Sequence, residues 1–343
     1  MIISGDIGGT NIRLCLSGVL GSEKEPPWIC QYKSSDYASL ELAIDEFLNG
    51  IGCRTKDIQA ACFAVAGPIH EGEVKLTNLP WKVSIESLKS HLKIDVVELL
   101  NDFSALSYGI GALSSTDLVT LHMPSVPTQS MVRAVVGAGT GLGVSLLYGD
   151  LASPQVLSTE GGHIDFAPIN DEQLSLLAYL KKDLTRVSVE RVCSGYGLVN
   201  IYQFLIHTSM KAKDHQALSK QLKGSASDAS LIGEYAQLHK DPVAIKAVEI
   251  FLDIYASVLG NVALMFLPLG GLYIAGGIAP NWMDHLQQEH FLQTIFNKGR
   301  MTDLLHQMPI HVITNTQVGL IGARCRAQYL LKQSEGVCLL KKP

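Results

Sequence analysis

Residues 2–17, IISGDIGGTNIRLCLS, and residues 133–148, RAVVGAGTGLGVSLLY, decide how this chain is read. Each is an apolar strand, a turn of glycine and threonine, and a second apolar strand, so the chain reads as internally duplicated. Glycine lacks a Cβ, tolerates positive φ and lets backbone N–H groups converge on an anion such as a phosphate oxygen. Threonine adds a hydroxyl donor. Either turn alone reads as an ordinary hairpin. Two such turns would hold a polyphosphate from both sides if they faced each other across a cleft, and the pair, with Asp6 marking only the first, favours a nucleotide cleft. No lysine follows either turn in a G-x-x-x-x-G-K-[ST] arrangement, which excludes P-loop chemistry there. Residues 137–143 run G-A-G-T-G-L-G, and a dinucleotide G-x-G-x-x-G fails because its last glycine falls on Leu142. Without a lysine, neutralisation falls to backbone amides and a metal. Asp6 suits magnesium, which prefers oxygen ligands and keeps several waters while bridging phosphates.

At 343 residues the chain exceeds what one hydrophobic core usually covers, so two lobes are expected. Hydrophobic residues make up 47% and charged ones 17%, enough apolar material for buried interiors and too much for a disordered chain. The net charge of -5, with no stripe of lysine or arginine, makes nucleic acid a poor partner. The strand pattern begins at Ile2, leaving no room for a secretion leader, and no apolar run reaches bilayer length. A cytoplasmic protein with no membrane partner is therefore expected. The seven cysteines are odd in number, scattered and without a C-x-x-C pair, so neither a disulfide framework nor a zinc site follows. His285 and His290 are five apart and do not share a helix face as metal ligands would.

Short apolar runs at 2–7, 14–20, 58–66 and 95–100 predict strands, and 38–48 and 84–92 carry helical spacing, which together describe an α/β lobe. The segment HMPSVPTQS, 122–130, reads as a connection into a second lobe. Apolar periodicity from Ala244 to Leu267 predicts a buried helix ending before Pro268. Residues 208–230 are polar and read as an exposed loop or helical insertion, and VGLIGARCRAQYLL predicts a final helix that frays after Gln333.

In VVELLNDFSAL a strand runs into Asn101 and Asp102. Helix capping explains the pair as well as catalysis does. A carboxylate at a strand's carboxyl end is nevertheless where α/β folds place reacting groups. With an ordinary aspartate pKa of about 3.9, such a group would accept a proton only late. In STEGGHIDF a Gly-Gly pair separates Glu160 from His163, so a tight turn aims two polar side chains at one ligand, although a plain hairpin reads the same way. Glu190 alone reads as a solvated helix charge. Gly276 and Gly277 follow a strand and either turn the chain or let a flat base lie against backbone.

The ordered set DIGGTNIR, TNLPW, NDFSA, GAGTGLGV, EGGHIDFAP, SVERVCSGYGLVN and LYIAGGI resembles that of bacterial glucokinases, of the hexokinase, actin and heat-shock ATPase superfamily, over nearly the whole chain. The resemblance implies an α/β, two-lobed actin-like ATPase (ribonuclease H-like) fold with a duplicated core and an interlobe cleft. The lobes expected are residues 1–113, completed by a helix at about 317–333, and residues 114–316. The implied activity is transfer of the γ-phosphoryl group of ATP to the 6-hydroxyl of D-glucose, with Asp102 as general base and magnesium held by Asp6 through water. Asn78, Asn101, Asp102, Glu160, His163 and Glu190 are implied to contact glucose. Asp6, Gly8, Gly9, Thr10, Asn11, Gly137, Gly139, Thr140, Gly141, Gly276 and Gly277 are implied to contact the nucleotide. Closure on the sugar would suppress hydrolysis of ATP, and a homodimer is expected.

The alternatives are another hexose or amino-sugar kinase of the wider repressor, open-reading-frame and kinase group, whose cysteine-rich zinc motif is absent here, and a sugar-sensing regulator on the same fold. The regulator would need a DNA-reading segment, and five residues precede Asp6. The set Asn101, Asp102, Glu160 and His163 argues against an ATPase that takes no sugar.

Overall fold

The computed structural model describes residues 1–19, 26–76, 79–126, 128–208, 218, 221–223 and 228–340. The chain divides into two compact units, one of Met1–Thr116, Gly149–Ser158 and Asn315–Pro343, the other of Asp117–Tyr148 and Thr159–Thr314. The return of 149–158 to the first unit has no counterpart in the sequence pattern.

The first unit is built on a five-stranded sheet ordered β3-β2-β1-β4-β7. The strands are β1 (Ile2–Ile7), β2 (Asn11–Ser17), β3 (Trp28–Lys33), β4 (Ala60–Val65) and β7 (Val96–Asn101); β5 (Glu73–Lys75) and β6 (Lys82–Ser84) form a separate ribbon. β1 and β2 are antiparallel, with Ile7 opposite Ile12, so only residues 8–10 turn the chain. That tight turn starts β2 earlier than the apolar run at 14–20 suggests. β4 lies parallel to β1 and β7 parallel to β4. Every residue of β4 is buried, as a central strand covered on both faces requires. One face carries Ile3, Ile7, Phe63 and Leu99. Against it pack α1 (Leu40–Gly50), which buries Leu40, Ala43, Ile44, Phe47 and Leu48 along one stripe, and α2 (Ile85–Leu92). Burying a side chain such as Phe47 contributes about 1.5–3 kcal/mol. The other face carries Ile2, Ala60, Cys62, Ala64 and Leu100 under Ala323, Ala327 and Leu331 of the C-terminal helix Val318–Leu340. This helix runs past Gln333, where fraying was expected. α3 (Asp102–Gly109) follows β7 directly.

A second, six-stranded sheet is ordered β11-β10-β9-β12-β13-β8, and all of its strands except the edge strand β11 lie in the second unit. Its strands are β8 (Leu118–His122), β9 (Val132–Ala138), β10 (Leu142–Tyr148), β11 (Gln155–Thr159), β12 (Leu272–Ala275) and β13 (Ile310–Ile313). β9 and β10 form an antiparallel hairpin, with β12 parallel to β9 and β13 parallel to β12. A hairpin flanked by two parallel strands therefore occurs in both units, which is the duplication read from the two glycine turns. Packed with this sheet are α4 (Asp171–Leu180), α5 (Gly195–Thr208), the helix Asp228–Gln237 and the long helix Pro242–Phe266. The long helix starts where expected of Pro at the first position. Asp241 caps it by accepting from the N–H groups of Val243 and Ala244 at 2.9 and 2.8 Å, and it stops at Leu267, whose φ is 43°, ahead of Pro268. The polar stretch 208–230 lies mostly outside the described residues. Among the described residues no helix is long and apolar enough to cross a membrane.

Candidate active site

In the first unit the turn between β1 and β2 closes through the Gly8 N–H, which donates to the Asn11 carbonyl at 2.9 Å. Ser34 ties the turn from outside: its N–H donates to the Thr10 carbonyl at 3.0 Å and its hydroxyl to the Gly8 carbonyl at 2.8 Å. The Gly8 and Thr10 carbonyls of the turn are thus engaged from within the protein. Asp6 sits one residue before the end of β1, opposite Arg13, whose Nη1 lies 3.5 Å from its Oδ2. The start of the C-terminal helix also borders Asp6, since a Cβ on Gly319 would lie 3.7 Å from its carboxyl group. Burial pushes the Asp6 carboxyl above the usual range, and the Arg13 charge only partly offsets it. Arg13 therefore supplies a fixed positive charge that the sequence reading assigned to metal and amides alone. β3 brings a second cation, Lys33, opposite Asn11, although no lysine is near in sequence. The Asn11 side-chain oxygen accepts from Gln31 Nε2 at 3.3 Å.

Asp6 and Asp102 stand at the carboxyl ends of β1 and β7, with β4 between them. The capping role of Asn101 is real: its Oδ1 accepts from the Phe103 N–H at 3.0 Å, while its amide points to the Gly67 carbonyl at 3.5 Å. Asp102 Oδ1 shares the same N–H at 3.0 Å. The ordinary aspartate pKa expected of Asp102 is not what its surroundings allow. Burial raises it and the Asp6 charge adds to the rise, against the lowering effect of the Phe103 N–H. Asn78 lies outside the described residues.

In the second unit the turn Gly139–Gly141 joins β9 to β10. The Gly139 N–H donates to the Gly141 carbonyl at 2.8 Å, and the Gly139 carbonyl accepts from the Gly195 N–H, at the start of α5, at 2.7 Å. Gly137 lies within β9, paired with Gly143 on one side and Ala275 on the other. Glu190 is not a solvated charge. Its Oε2 accepts from the Leu142 N–H at 2.9 Å, and a Cβ on Gly141 would lie 2.6 Å from that oxygen. The Glu160–His163 turn packs on the same hairpin. The Thr159 hydroxyl donates to the Val144 carbonyl at 2.7 Å, and a Cβ on Gly162 would land on the Leu142 carbonyl oxygen. Residues 164–166 pair antiparallel with 187–189, through Val189 N–H to Ile164 O at 2.9 Å and Phe166 N–H to Val187 O at 3.0 Å, which sets His163 across from Glu190. His163 Nε2 lies 3.9 Å from Glu160 Oε2. The Glu160–His163 turn and Glu190 thus both pack on the hairpin that carries the second glycine turn.

Gly276, with φ at 89°, leaves β12 where a Cβ would strike the Ala138 carbonyl, so this turn lies directly beside the one at Gly139. Gly139 and Gly277 have nothing within 4 Å of a Cβ position; their missing side chains leave open space rather than serve packing. Beyond Gly277 lies a cavity of about 570 Å³ lined by Gln237, Lys240, Ile245, Asn281, Trp282 and His285, among others. Asn281 Nδ2 donates to the Gly277 carbonyl at 3.0 Å, and Gln237 Nε2 to the Asn281 carbonyl at 2.8 Å. None of these polar residues carries a motif that the sequence reading could use. His290 pairs with Asp253 at 2.8 Å while His285 stacks edge-on against Trp282, so the two histidines do not share a ligand.

Among the described residues no group of three or more His, Cys, Asp or Glu could hold a metal ion. The available donor at the turn after β1 is one half-buried carboxylate, Asp6. That set fits a magnesium ion that keeps its waters and leans on phosphate oxygens, and does not fit an all-protein cage.

Comparison with known proteins follows the same lines. The family model described as glucokinase matches residues 3–330. A glucokinase of Nostoc sp. is 40% identical over 339 residues, spanning 94% of this chain and 97% of that protein. The crystal structure of a glucokinase from an Antarctic psychrotroph superposes with a TM-score of 0.80 at 32% identity, covering 95% of this chain and 98% of the other. That of a Balamuthia mandrillaris glucokinase in complex with glucose gives 0.74 at 22% identity, over 96% and 93% of the two chains, and speaks to the fold alone.

Proposed function

The chain belongs to the glucokinase family, and from that premise we propose that it transfers the γ-phosphoryl group of ATP to the 6-hydroxyl of D-glucose, with Asp102 as general base. The observation that carries the assignment of the base is the placement of Asp102: a half-buried carboxylate at the end of β7, raised in pKa by burial and by Asp6, whose own strand leads into the glycine turn. Asp102 accepts the hydrogen bond of the sugar hydroxyl and orients its oxygen toward phosphorus. It takes the proton as the new O–P bond forms and the bond to the ADP oxygen breaks. Even a raised carboxylate remains far weaker than an alkoxide, so the transfer is late and positioning does most of the work.

Asp6 is the residue that would hold magnesium, through water; the bound ion supplies charge neutralisation across the phosphate oxygens. Gly8, Gly9, Thr10 and Asn11 at the first turn and Gly137, Gly139, Thr140 and Gly141 at the second are the proposed phosphate contacts, with Arg13 adding charge. Gly276 and Gly277 border the base, and the cavity beside Gly277 is large enough to receive it. Asn101, Asp102, Glu160, His163 and Glu190 are the proposed sugar contacts, with Asn78. A hexose offers hydroxyls that both donate and accept, and fixed polar groups left unpaired penalise the wrong stereoisomer. The reading places the protein in the cytoplasm, where ATP is made, and retains a homodimer, which light scattering of the purified chain tests.

A coupled assay across glucose, mannose, glucosamine and N-acetylmannosamine with ATP tests the assignment. Glucose is expected to give the highest kcat/KM, and excess chelator to abolish turnover. A higher kcat/KM for an amino sugar would overturn the choice of substrate, and ATP hydrolysis without sugar would overturn the reaction class.

Glu190 gives a second test. One of its oxygens already holds the Leu142 N–H, so the other is what a sugar hydroxyl meets. Glu190→Gln keeps an oxygen for Leu142 and loses the charged acceptor. A hydrogen bond to a charged group contributes about 1.5–3 kcal/mol, so KM for glucose is expected to rise by roughly 10- to 100-fold, with KM for ATP little changed. An unchanged glucose KM would remove Glu190 from the sugar site.

A further inference from the structure

Arg186 lies outside every motif quoted above. Its side chain reaches along the short ladder between residues 164–166 and 187–189. Nη2 donates to the backbone carbonyl of His163, and Nε donates to Asp165 Oδ1 at 2.6 Å. One planar fork thus straddles Ile164 and holds the main chain at the sugar-facing end of the ladder, where His163 stands across from Glu190.

We propose that Arg186, braced by Asp165, is a positioning residue that fixes the His163 main chain and so sets the affinity for the hexose. The proposal rests on the reading of His163 as a sugar contact. Two observations separate it from a role in stability. First, the pair is exposed, with 56% of the Arg186 and 78% of the Asp165 side chain accessible, and exposed ion pairs contribute about 0–1 kcal/mol. Second, the His163 ring is 56% exposed and its nearest charged neighbour, Glu160 Oε2, is 3.9 Å away. A ring held so loosely by its own side chain depends on its backbone for placement. The ladder's own bonds end at Val189 and Ile164, leaving the next carbonyl, that of His163, to the guanidinium. Small displacements of a group that must meet one hydroxyl are costly, so a weak contact in stability can be a strong one in recognition.

Arg186→Met keeps the aliphatic stem and removes the fork; Arg186→Lys keeps the charge. In the methionine variant KM for glucose is expected to rise about tenfold, with KM for ATP and the melting temperature unchanged, and lysine to restore part of the loss. In a His163→Ala background the Arg186→Met change is expected to add less than about twofold, because its effect passes through His163. A loss of equal size in that background, a fall in melting temperature with kcat lowered for every substrate, or an unchanged glucose KM would each overturn the proposal. An NMR measurement on the full chain needs no substrate: the His163 amide order parameter is expected to fall below about 0.6 in Arg186→Met and to stay near the rigid value of about 0.85 in the wild type. If the wild type fails to phosphorylate glucose, the function assigned above falls, and the order parameter alone decides the role of Arg186.

Discussion

Asp102→Asn is expected to lower kcat for glucose phosphorylation by about 10²- to 10⁴-fold, the usual worth of a positioned base, while glucose KM moves by only a few-fold. Asparagine has nearly the same shape and keeps an oxygen for the Phe103 N–H, so the first turn of α3 survives. What it cannot do is accept the proton. The same change is expected to raise the melting temperature at pH 7. Burial and the Asp6 charge raise the carboxyl's pKa in the folded state above its value of 3.8, so at neutral pH the ionised group is less favourable in the folded chain than in the unfolded one. That penalty shrinks as pH falls through the raised pKa and is gone below 3.8, where the group is protonated in both states. The stability advantage of Asp102→Asn should therefore be largest at neutral pH and narrow in acid. In the wild type, kcat/KM should fall as pH drops through the same raised pKa, so the acidic limb lies above 3.8. A variant that keeps a tenth or more of the wild-type kcat, or that melts below the wild type at pH 7, would overturn the assignment of Asp102 as a buried base.

The parts of this molecule legible in the sequence are those specified by neighbours along the chain. The runs at 2–7 and 58–66, the stripe of α1 and the stop of the long helix ahead of Pro268 follow from local periodicity and from what proline forbids. The Asn101–Asp102 pair illustrates the limit. Capping and chemistry both suit a strand end, and the structure has Asn101 and Asp102 both accepting from the Phe103 N–H, with Asp102 half-buried and within reach of the Asp6 charge. The rise in the Asp102 pKa could not be read locally, because it comes first from burial, which only the packed fold creates, and then from the Asp6 charge two strands away across β4. Arg13 beside Asp6, Lys33 opposite Asn11 and the Glu190 bond to Leu142 are products of strand pairing and loop packing between distant segments. Glu190 read as a surface charge because only the hairpin at Gly141, which has room for its carboxylate and none for a Cβ, turns it into a fixed acceptor. The extension of the last helix past Gln333 was missed for a different reason: Gly336 and the end of the amphipathic pattern suggest fraying locally, whereas a helix already anchored on the sheet through Ala323, Ala327 and Leu331 continues at little cost.

Gly322→Ala is expected to cost stability on a scale unlike any other small substitution in the first unit, and activity with it. The C-terminal helix crosses α3 backbone to backbone. A Cβ on Gly322 would land on the Ala105 carbonyl, 2.8 Å from the Gly109 nitrogen, and a Cβ on Gly109 would lie 2.6 Å from the Val318 carbonyl. The atoms nearest a Gly322 Cβ are all backbone, so the extra methyl is accommodated only by moving one helix off the other. Overpacking of this kind costs typically about 1–3 kcal/mol, and more where backbone meets backbone. At roughly 2–4 °C per kcal/mol for a unit of this size, the melting temperature should fall by several degrees at least. The displaced elements are the ones that matter to chemistry: α3 begins at Asp102, and the C-terminal helix begins beside Asp6. Parting them alters the relation of Asp102, the proposed base, to the turn after Asp6, so kcat should fall in the protein that remains folded. Gly319→Ala is the control on the same helix. Its Cβ would meet the Asp6 carboxyl at an ordinary 3.7 Å, and alanine favours a helix over glycine by about 1 kcal/mol, so a neutral or raised melting temperature is expected. Circular dichroism melts of the two variants decide the matter: equal melting temperatures would mean that the crossing at Gly322 has slack, and that the spacing of Asp6 and Asp102 is set elsewhere.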